Sequence, residues 1–192
     1  RILRPAMSRL AQGIESECLE LAQDAVYNTI GDADGTTVYD TATMLAGRTK
    51  LRESLAPMGD KECALLNSSA MASAVTARNG LFQSSDQIAS QYKNGYMGIA
   101  DGFTYLENNL LPTHTNGSDV TGVAINDASV AEGSASITVD GASVAPTVGS
   151  VFTLAGVYSI HPITKVNTGN LQQFVVTSAT TTVLGISPSL YA

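Results

Sequence analysis

The chain has 192 residues, a formal net charge of −7 and 44% hydrophobic residues, so it can form a sizeable core in one or two domains. Charged residues make up 14% of it, against about 25% in typical globular proteins. The sequence has no apolar run of about 18 residues, and its densest basic cluster is Arg48, Lys50 and Arg52. We therefore predict no membrane span and no sequence-specific nucleic-acid binding, because phosphate contacts need concentrated positive charge.

The chain begins with a long amphipathic helix, predicted over residues 4–30. Pro5 suits its first turn and Gly31 suits a C-terminal stop. At 1.5 Å per residue the helix is about 40 Å long, and we expect its apolar stripe to lie on a broad partner surface. The stripe residues recur at spacings of three and four. They are Leu3, Met7, Leu10, Ile14, Cys18, Leu21 and Ala25.

Residues 31–111 are predicted to form an α+β domain, because helical periodicity alternates with short apolar runs. Capping residues mark two helix starts: Asp40 or Thr41 before the second helix, and Asn67 or Ser68 before the third. The predicted elements are a helix at 41–56, a buried strand at 63–66, a helix at 67–77, a helix at 85–93 and a strand at 95–110.

The second helix is predicted to bury an apolar side and to leave a basic side in solvent. Arg48, Lys50 and Arg52 form the solvated side of this helix. The side predicted to be buried consists of Met44, Leu45, Leu51 and Leu55.

A change of composition near Pro112 predicts a domain boundary. Pro112 removes a backbone donor and Asn116-Gly117 is a turn signal, so regular structure is expected to stop there. Beyond this point the charged residues are sparse: Asp119, Asp127, Glu132, Asp140 and Lys165.

After the boundary the chain is predicted to form strands alone. Apolar residues alternate with Ser and Thr, and turn signals separate the segments, as is typical of a small barrel or sandwich. Six strands are predicted, at 120–125, 135–139, 150–154, 157–161, 171–177 and 181–186. We expect residues 112–192 to fold as a separate module.

The sequence offers little support for catalysis. His114 lies in the hinge and His161 ends a predicted strand, and a nucleophile–base pair would need a Cys or Ser brought within hydrogen-bond reach of one of them. There is no G-x-S-x-G elbow, dinucleotide fingerprint or P-loop. Asp32 and Asp34 match the start of a calcium loop, whose later ligands are missing. We therefore predict that the protein is not an enzyme, with no catalytic, cofactor-binding or metal-binding residue and no cofactor.

The two cysteines, Cys18 and Cys63, are too few for a disulfide framework. Cys18 falls on the apolar stripe of the first helix, and Cys63 starts an apolar strand. Both are predicted to be small core residues. The alternative is that one of them is the nucleophile of a cysteine hydrolase.

The most distinctive run is GYMGIADGFTYLENNLLPTHTNG, from Gly95 to Gly117. It is preceded by RNGLFQ at residues 78–83. LLNSSA at 65–70, a strand followed by a helix start, and VGSVFTLAGV at 148–157 accompany it. Together these segments resemble tailed-bacteriophage major capsid (coat) proteins, in the branch whose coat protein carries an inserted β-barrel domain. The likeness covers most of residues 1–192.

The resemblance implies three parts: the spine helix of a peripheral domain at 1–30, part of an axial domain at 31–111, and an inserted six-stranded β-barrel at 112–192. In that family an arm and a loop precede the spine helix, and the chain returns to the main domains after the insertion. Neither segment is in this sequence, so we expect an internal piece of a longer chain.

The resemblance also implies a function, which is self-assembly into the icosahedral bacteriophage head that encloses double-stranded DNA. The partners would be copies of the chain in capsomers, a scaffolding protein and a portal. The location would be the virion, after assembly in the host bacterial cytoplasm. The alternative is a secreted or cell-surface β-rich adhesion module, which the Ser/Thr-rich strands and the glycan-acceptor patterns at Asn67 and Asn116 suggest.

Overall fold

The computed structural model describes residues 3–31, 39–57, 59, 62–78, 95, 97–117, 123–127, 130–142 and 144–191. These residues form three helices and two sheets, which confirms the α+β class. The helices are α1 (Leu3–Ala25), α2 (Thr41–Glu53) and α3 (Ser68–Ala77). The strands are β1 (Cys63–Leu66), β2 (Ile99–Ala100), β3 (Phe103–Glu107), β4 (Ala124–Ile125), β5 (Ser136–Asp140), β6 (Val151–Ile160), β7 (Asn167–Ala179) and β8 (Val183–Ser187). The helix predicted at 85–93 lies outside the described residues.

The chain divides into two compact units. The helix–sheet unit comprises Arg1–Thr29, Pro112–Ile160 and Lys165–Ala192, and the central unit comprises Ile30–Leu111 and His161–Thr164. The chain thus leaves the central unit next to Pro112, where the composition changes. The assignment of 1–30, 31–111 and 112–192 to peripheral, axial and inserted domains stays a prediction, because compactness does not identify the kind of domain.

The central unit is built around a three-stranded sheet with the order β1-β3-β2. β1 runs parallel to β3, and β2 runs antiparallel to it. Asn67 caps α3 by accepting a hydrogen bond from Ala70 N at 2.7 Å, and Asp40 caps α2 by accepting from Thr43 N at 2.8 Å. The core of the unit consists of Leu66, Ala70, Met71, Ala74, Met97, Phe103 and Tyr105.

The predicted buried side of α2 is right at Met44 and wrong at Leu45, Leu51 and Leu55. Its inward side runs through Met44, Arg48 and Arg52, because Met44 packs against the core and both arginines contact the unit. The Arg48 guanidinium lies so close to Gly102 that an added Cβ there would be 2.6 Å from its Cζ, and Arg52 forms a 2.7 Å ion pair with Glu62. The apolar residues left exposed are Leu45, Leu51 and Leu55, at 44%, 39% and 44%.

The strand predicted at 95–110 is a hairpin. Asp101 and Gly102 join β2 to β3, with φ values of +55° and +86°. Positive φ at both central residues matches the twist of antiparallel strands, and Asp-Gly is a preferred pair for such a turn. The Asp-Gly pair is thus a local signal that the single-strand prediction overlooked.

The helix–sheet unit contains a five-stranded antiparallel sheet with the order β4-β5-β8-β7-β6. Its edge strands β4 and β6 do not pair with each other within the described ranges, so the sheet is a half-barrel. One side of it is covered by a buried apolar cluster. The cluster consists of Ile137, Val139, Phe174, Leu184 and Ile186.

The prediction of six strands counted β6 twice. The segments at 150–154 and 157–161 are one strand, which passes through Gly156 at a φ of +84°. The pairing with β7 shifts register between Thr153 and Tyr158. A glycine with positive φ can form a bulge within a strand as well as a turn between two strands, so the turn signal at Gly156 is ambiguous in the sequence.

Candidate assembly surface

α1 presents its apolar residues to solvent. Met7, Leu10, Ile14 and Leu21 are between 56% and 74% exposed, and Cys18 is exposed as well. Isolated apolar residues are common on protein surfaces, whereas a continuous row of them marks an interaction site. We call these five residues the exposed stripe of α1. The predicted stripe is therefore present, and its described residues are exposed.

The exposed stripe points away from the sheet of its own unit. Successive residues of an α-helix are rotated by about 100°, which places Ser16, Leu19 and Gln23 on the side opposite to Ile14. These three residues are partly buried, and α1 contacts β7. The helix therefore contacts the sheet through a mostly polar side, and its apolar side is exposed to solvent.

Polar contacts near Gly149 anchor the end of α1. With its amide oriented to satisfy both neighbours, Gln23 donates to Pro112 O at 3.1 Å and accepts from His114 N at 2.9 Å. Asp24 Oδ1 lies 3.5 Å from His114 Nδ1. Gly149 has a φ of +85°, and a Cβ there would lie 2.4 Å from Asp24 Oδ1, so this approach of the helix requires a glycine.

The segment after α1 is held against β7 by one side-chain amide. α1 ends at Ala25, earlier than the predicted residue 30. Thr29 N donates to Gln173 Oε1 at 3.0 Å, and Gln173 Nε2 donates to Thr29 O at 3.2 Å. These two hydrogen bonds resemble those between paired strands, and they attach the segment that follows α1 to β7.

A second apolar surface lies on the outer face of the central sheet. Leu65 and Leu106 are partners in the parallel register of β1 and β3, and they are 37% and 43% exposed. Ile99 on β2 is 65% exposed and pairs with Thr104. Each unit thus carries apolar side chains that are exposed.

The two cysteines are exposed, so the prediction that they are core residues is wrong. Cys18 lies on the stripe of α1, which faces solvent. Cys63 pairs with Thr104 on the same outward face as Leu65. The helix and the strand that contain the two cysteines were predicted correctly, but the side of each element that becomes buried was not.

The two histidines make separate contacts. His114 meets Asp24 on α1, as described above. Nδ1 of His161 accepts hydrogen bonds from the backbone N–H groups of Ile163 at 3.3 Å and Thr164 at 3.2 Å, which makes it the start of a turn. The first contact joins a helix to the hinge, and the second closes a turn.

A buried polar cluster in the central unit was not predicted from the sequence. Arg78, 2% exposed, donates from Nε to Asp101 Oδ2 at 3.1 Å and from Nη2 to Tyr105 OH at 2.8 Å. Its Nη1 donates to Tyr39 O and Ala74 O, each at 2.9 Å. We call these five residues the Arg78 cluster. It ties the end of α3 to the β2–β3 turn and to the segment before α2.

The Arg78 cluster is satisfied from within. Burial raises the pKa of Tyr105 to about 12, although the nearby Arg78 opposes the shift. The Tyr105 hydroxyl donates to Asp101 Oδ2 at 3.2 Å, and the guanidinium carbon lies 5.4 Å from the Tyr105 ring centroid. Because these groups bond to one another, we assign the cluster a structural role. Its one signal in the sequence is an arginine directly after the apolar helix α3.

Across the ranges that the structure describes, no group of three or more His, Cys, Asp and Glu residues is arranged to hold a metal ion. The acidic pair Asp32 and Asp34 lies outside those ranges. No described helix is both long enough and apolar enough to cross a membrane. A scan against models of protein families returns no match. A search of curated proteins finds no significant relative.

Proposed function

We propose that the chain belongs to the major capsid protein of a tailed bacteriophage, which self-assembles into the icosahedral head that encloses double-stranded DNA. The observation that supports this most is the exposed stripe of α1, with side chains up to 74% exposed on a helix whose other side is anchored. Such a row is stabilised when another surface covers it, since burying apolar area is the main driving force of association.

The proposal extends to the architecture. α1 would be part of the spine helix of the peripheral domain, and the central unit would be part of the axial domain. Residues 112–192 would be the inserted six-stranded barrel. The described part of this segment contributes a sheet of five strands. The run from Gly95 to Gly117 resembles the family most closely, and it includes the β2–β3 hairpin and the hinge at Pro112.

The partners in this proposal are copies of the same protein in capsomers, a scaffolding protein and a portal, and the location is the virion after assembly in the bacterial cytoplasm. Function would come from repeated subunit contacts without a catalytic residue or a cofactor. The contact of His114 with Asp24 and the hydrogen bonds that His161 accepts, which hold local structure, are consistent with this proposal.

The competing proposal is a secreted or cell-surface adhesion module. The exposed hydroxyl residues of the half-barrel favour it, including Ser136 on β5 and Thr177 and Ser178 on β7. An adhesion module is expected to stay monomeric in solution and to bind its ligand through that sheet, so the two proposals differ in their oligomeric state.

Charge placed on the stripe tests the capsid proposal. Ile14→Glu in the full reading frame that contains this chain puts a carboxylate in the middle of the exposed stripe, and we expect assembly to capsomers or shells to be lost by light scattering and electron microscopy. Gln12→Glu is the matched control, because it adds the same charge on an exposed position outside the stripe. Unimpaired assembly of Ile14→Glu, or a protein that is strictly monomeric before any substitution, would contradict the proposal.

A further inference from the structure

The half-barrel contains a cavity of about 220 Å³ that is partly open to solvent. Its walls come from strands β4 to β8 and from Val123, which precedes β4. Of the described residues that line it, none is charged. The main wall residues are Val123, Ile137, Val139, Phe152, Val176 and Leu184.

Two polar side chains at the rim of the cavity accept hydrogen bonds from the backbone. Asn116 Oδ1 accepts a hydrogen bond from Val151 N at 3.2 Å, and Ser150 Oγ accepts one from Gly117 N at 3.1 Å. The lining is mostly apolar, with Asn116, Ser150 and Thr153 as its polar side chains, and it therefore favours an apolar occupant.

The walls are preformed. Ile137 and Val176 are each 1% exposed, and Leu184 is 4% exposed, so they belong to the packed core. The rings of Phe152 and Phe174 are paired, with centroids 5.9 Å apart. A site made of residues that are held by the sheet and by one another does not have to be ordered when a ligand enters, which favours binding.

We propose that this cavity is a binding site for one small, uncharged aromatic or branched aliphatic molecule, from benzene to indole in size. An apolar cavity of about 150 Å³ lined by Leu, Ile and Phe stays dry and binds benzene, and the cavity in the half-barrel is larger and is lined mainly by Val, Ile, Leu and Phe side chains. The proposal concerns the half-barrel alone, so it holds whether or not the chain forms a capsid. Binding would stabilise the folded half-barrel through mass action.

Titration of the isotope-labelled 192-residue chain with benzene and with indole tests the proposal. We expect saturable amide shifts that fit one site and are concentrated at Val123, Ile137, Val139 and Val176. A ligand at ten times its Kd should raise the melting temperature by roughly 3–6 °C. Shifts that grow without saturation, or that concentrate on the exposed stripe of α1, would mean partitioning onto the surface and would overturn the proposal.

Filling the cavity provides the matched comparison. Val139→Phe and Val123→Phe each add a ring to the lining, and we expect either to weaken binding at least tenfold. Val166→Phe adds the same ring at a position that is 63% exposed and should leave the affinity unchanged. Equal affinity in all three variants would overturn the site. If both filled variants fail to fold, xenon pressure on the unsubstituted chain decides: xenon contacts to Ile137 and Leu184 support the site, and their absence refutes it.

Discussion

Asp101→Asn removes the negative charge of the Arg78 cluster and keeps its shape. Asn tolerates the φ of +55° that Asp101 adopts, so the turn between β2 and β3 is expected to survive. The side chain of Asp101 is 5% exposed and that of Arg78 is 0% exposed, so the guanidinium would stay buried without a counter-ion. Removing one partner of a buried ion pair costs about 3–5 kcal/mol. Because the Asn oxygen still accepts hydrogen bonds, we expect a loss of about 3 kcal/mol in the free energy of unfolding.

Urea unfolding followed by circular dichroism measures this loss. Asp140→Asn is the matched control, since Asp140 also precedes a glycine with positive φ, is exposed, and accepts from Gly141 N at 2.8 Å. The control is expected to change the free energy of unfolding by less than about 0.5 kcal/mol. Adding Arg78→Met to Asp101→Asn should recover part of the loss, because no unpaired charge then stays buried. A loss below about 1 kcal/mol for Asp101→Asn with a native spectrum would refute the reasoning.

Three other changes probe separate features. Gly149→Ala should lower the free energy of unfolding by about 1–3 kcal/mol more than Gly133→Ala. Both glycines have positive φ, but a Cβ at Gly149 would meet a carboxylate oxygen, whereas a Cβ at Gly133 would meet open space. Equal losses in the two variants would argue against the close approach of α1 to Gly149. The stability contributed by Tyr105 should be complete below pH 10.0, the ordinary tyrosine pKa, and should fall as the pH rises toward about 12. In Tyr105→Phe the urea midpoint should depend less on pH between 10.0 and about 12 than it does in the unsubstituted chain. The same pH dependence in both proteins would argue against burial of the Tyr105 hydroxyl. Asn67→Ala should destabilise by about 1 kcal/mol through the lost cap, and Asn67→Asp should restore most of it; similar losses in both variants would contradict the capping role.

Features that depend on neighbours along the chain could be predicted from the sequence. Asn67 and Asp40 cap their helices because a short polar side chain before an apolar run bonds the helix's own N–H groups. The α+β class follows from the alternation of helical and extended periodicity. The apolar stripe of α1 likewise follows from its spacing, whatever surface it later contacts.

The candidate assembly surface was predicted only in part. The sequence identified the apolar stripe and indicated that it needs a partner, but it could not show that Ile14 and Leu21 stay exposed in this chain. The Arg78 cluster was missed, because Arg78 and Asp101 are distant in sequence and come together only when α3 packs on the sheet.

By itself, the sequence determined which residues form helices and strands wherever local hydrogen bonds and periodicity decide the matter. The tertiary structure alone decided which side of each element is buried. On the inward side of α2, Arg52 forms an ion pair with Glu62 and Arg48 lies against the backbone at Gly102. The strand β6 continues through Gly156 because residues on both sides of this glycine pair with β7. Such outcomes depend on partners far away along the chain, so periodicity within one segment cannot specify them.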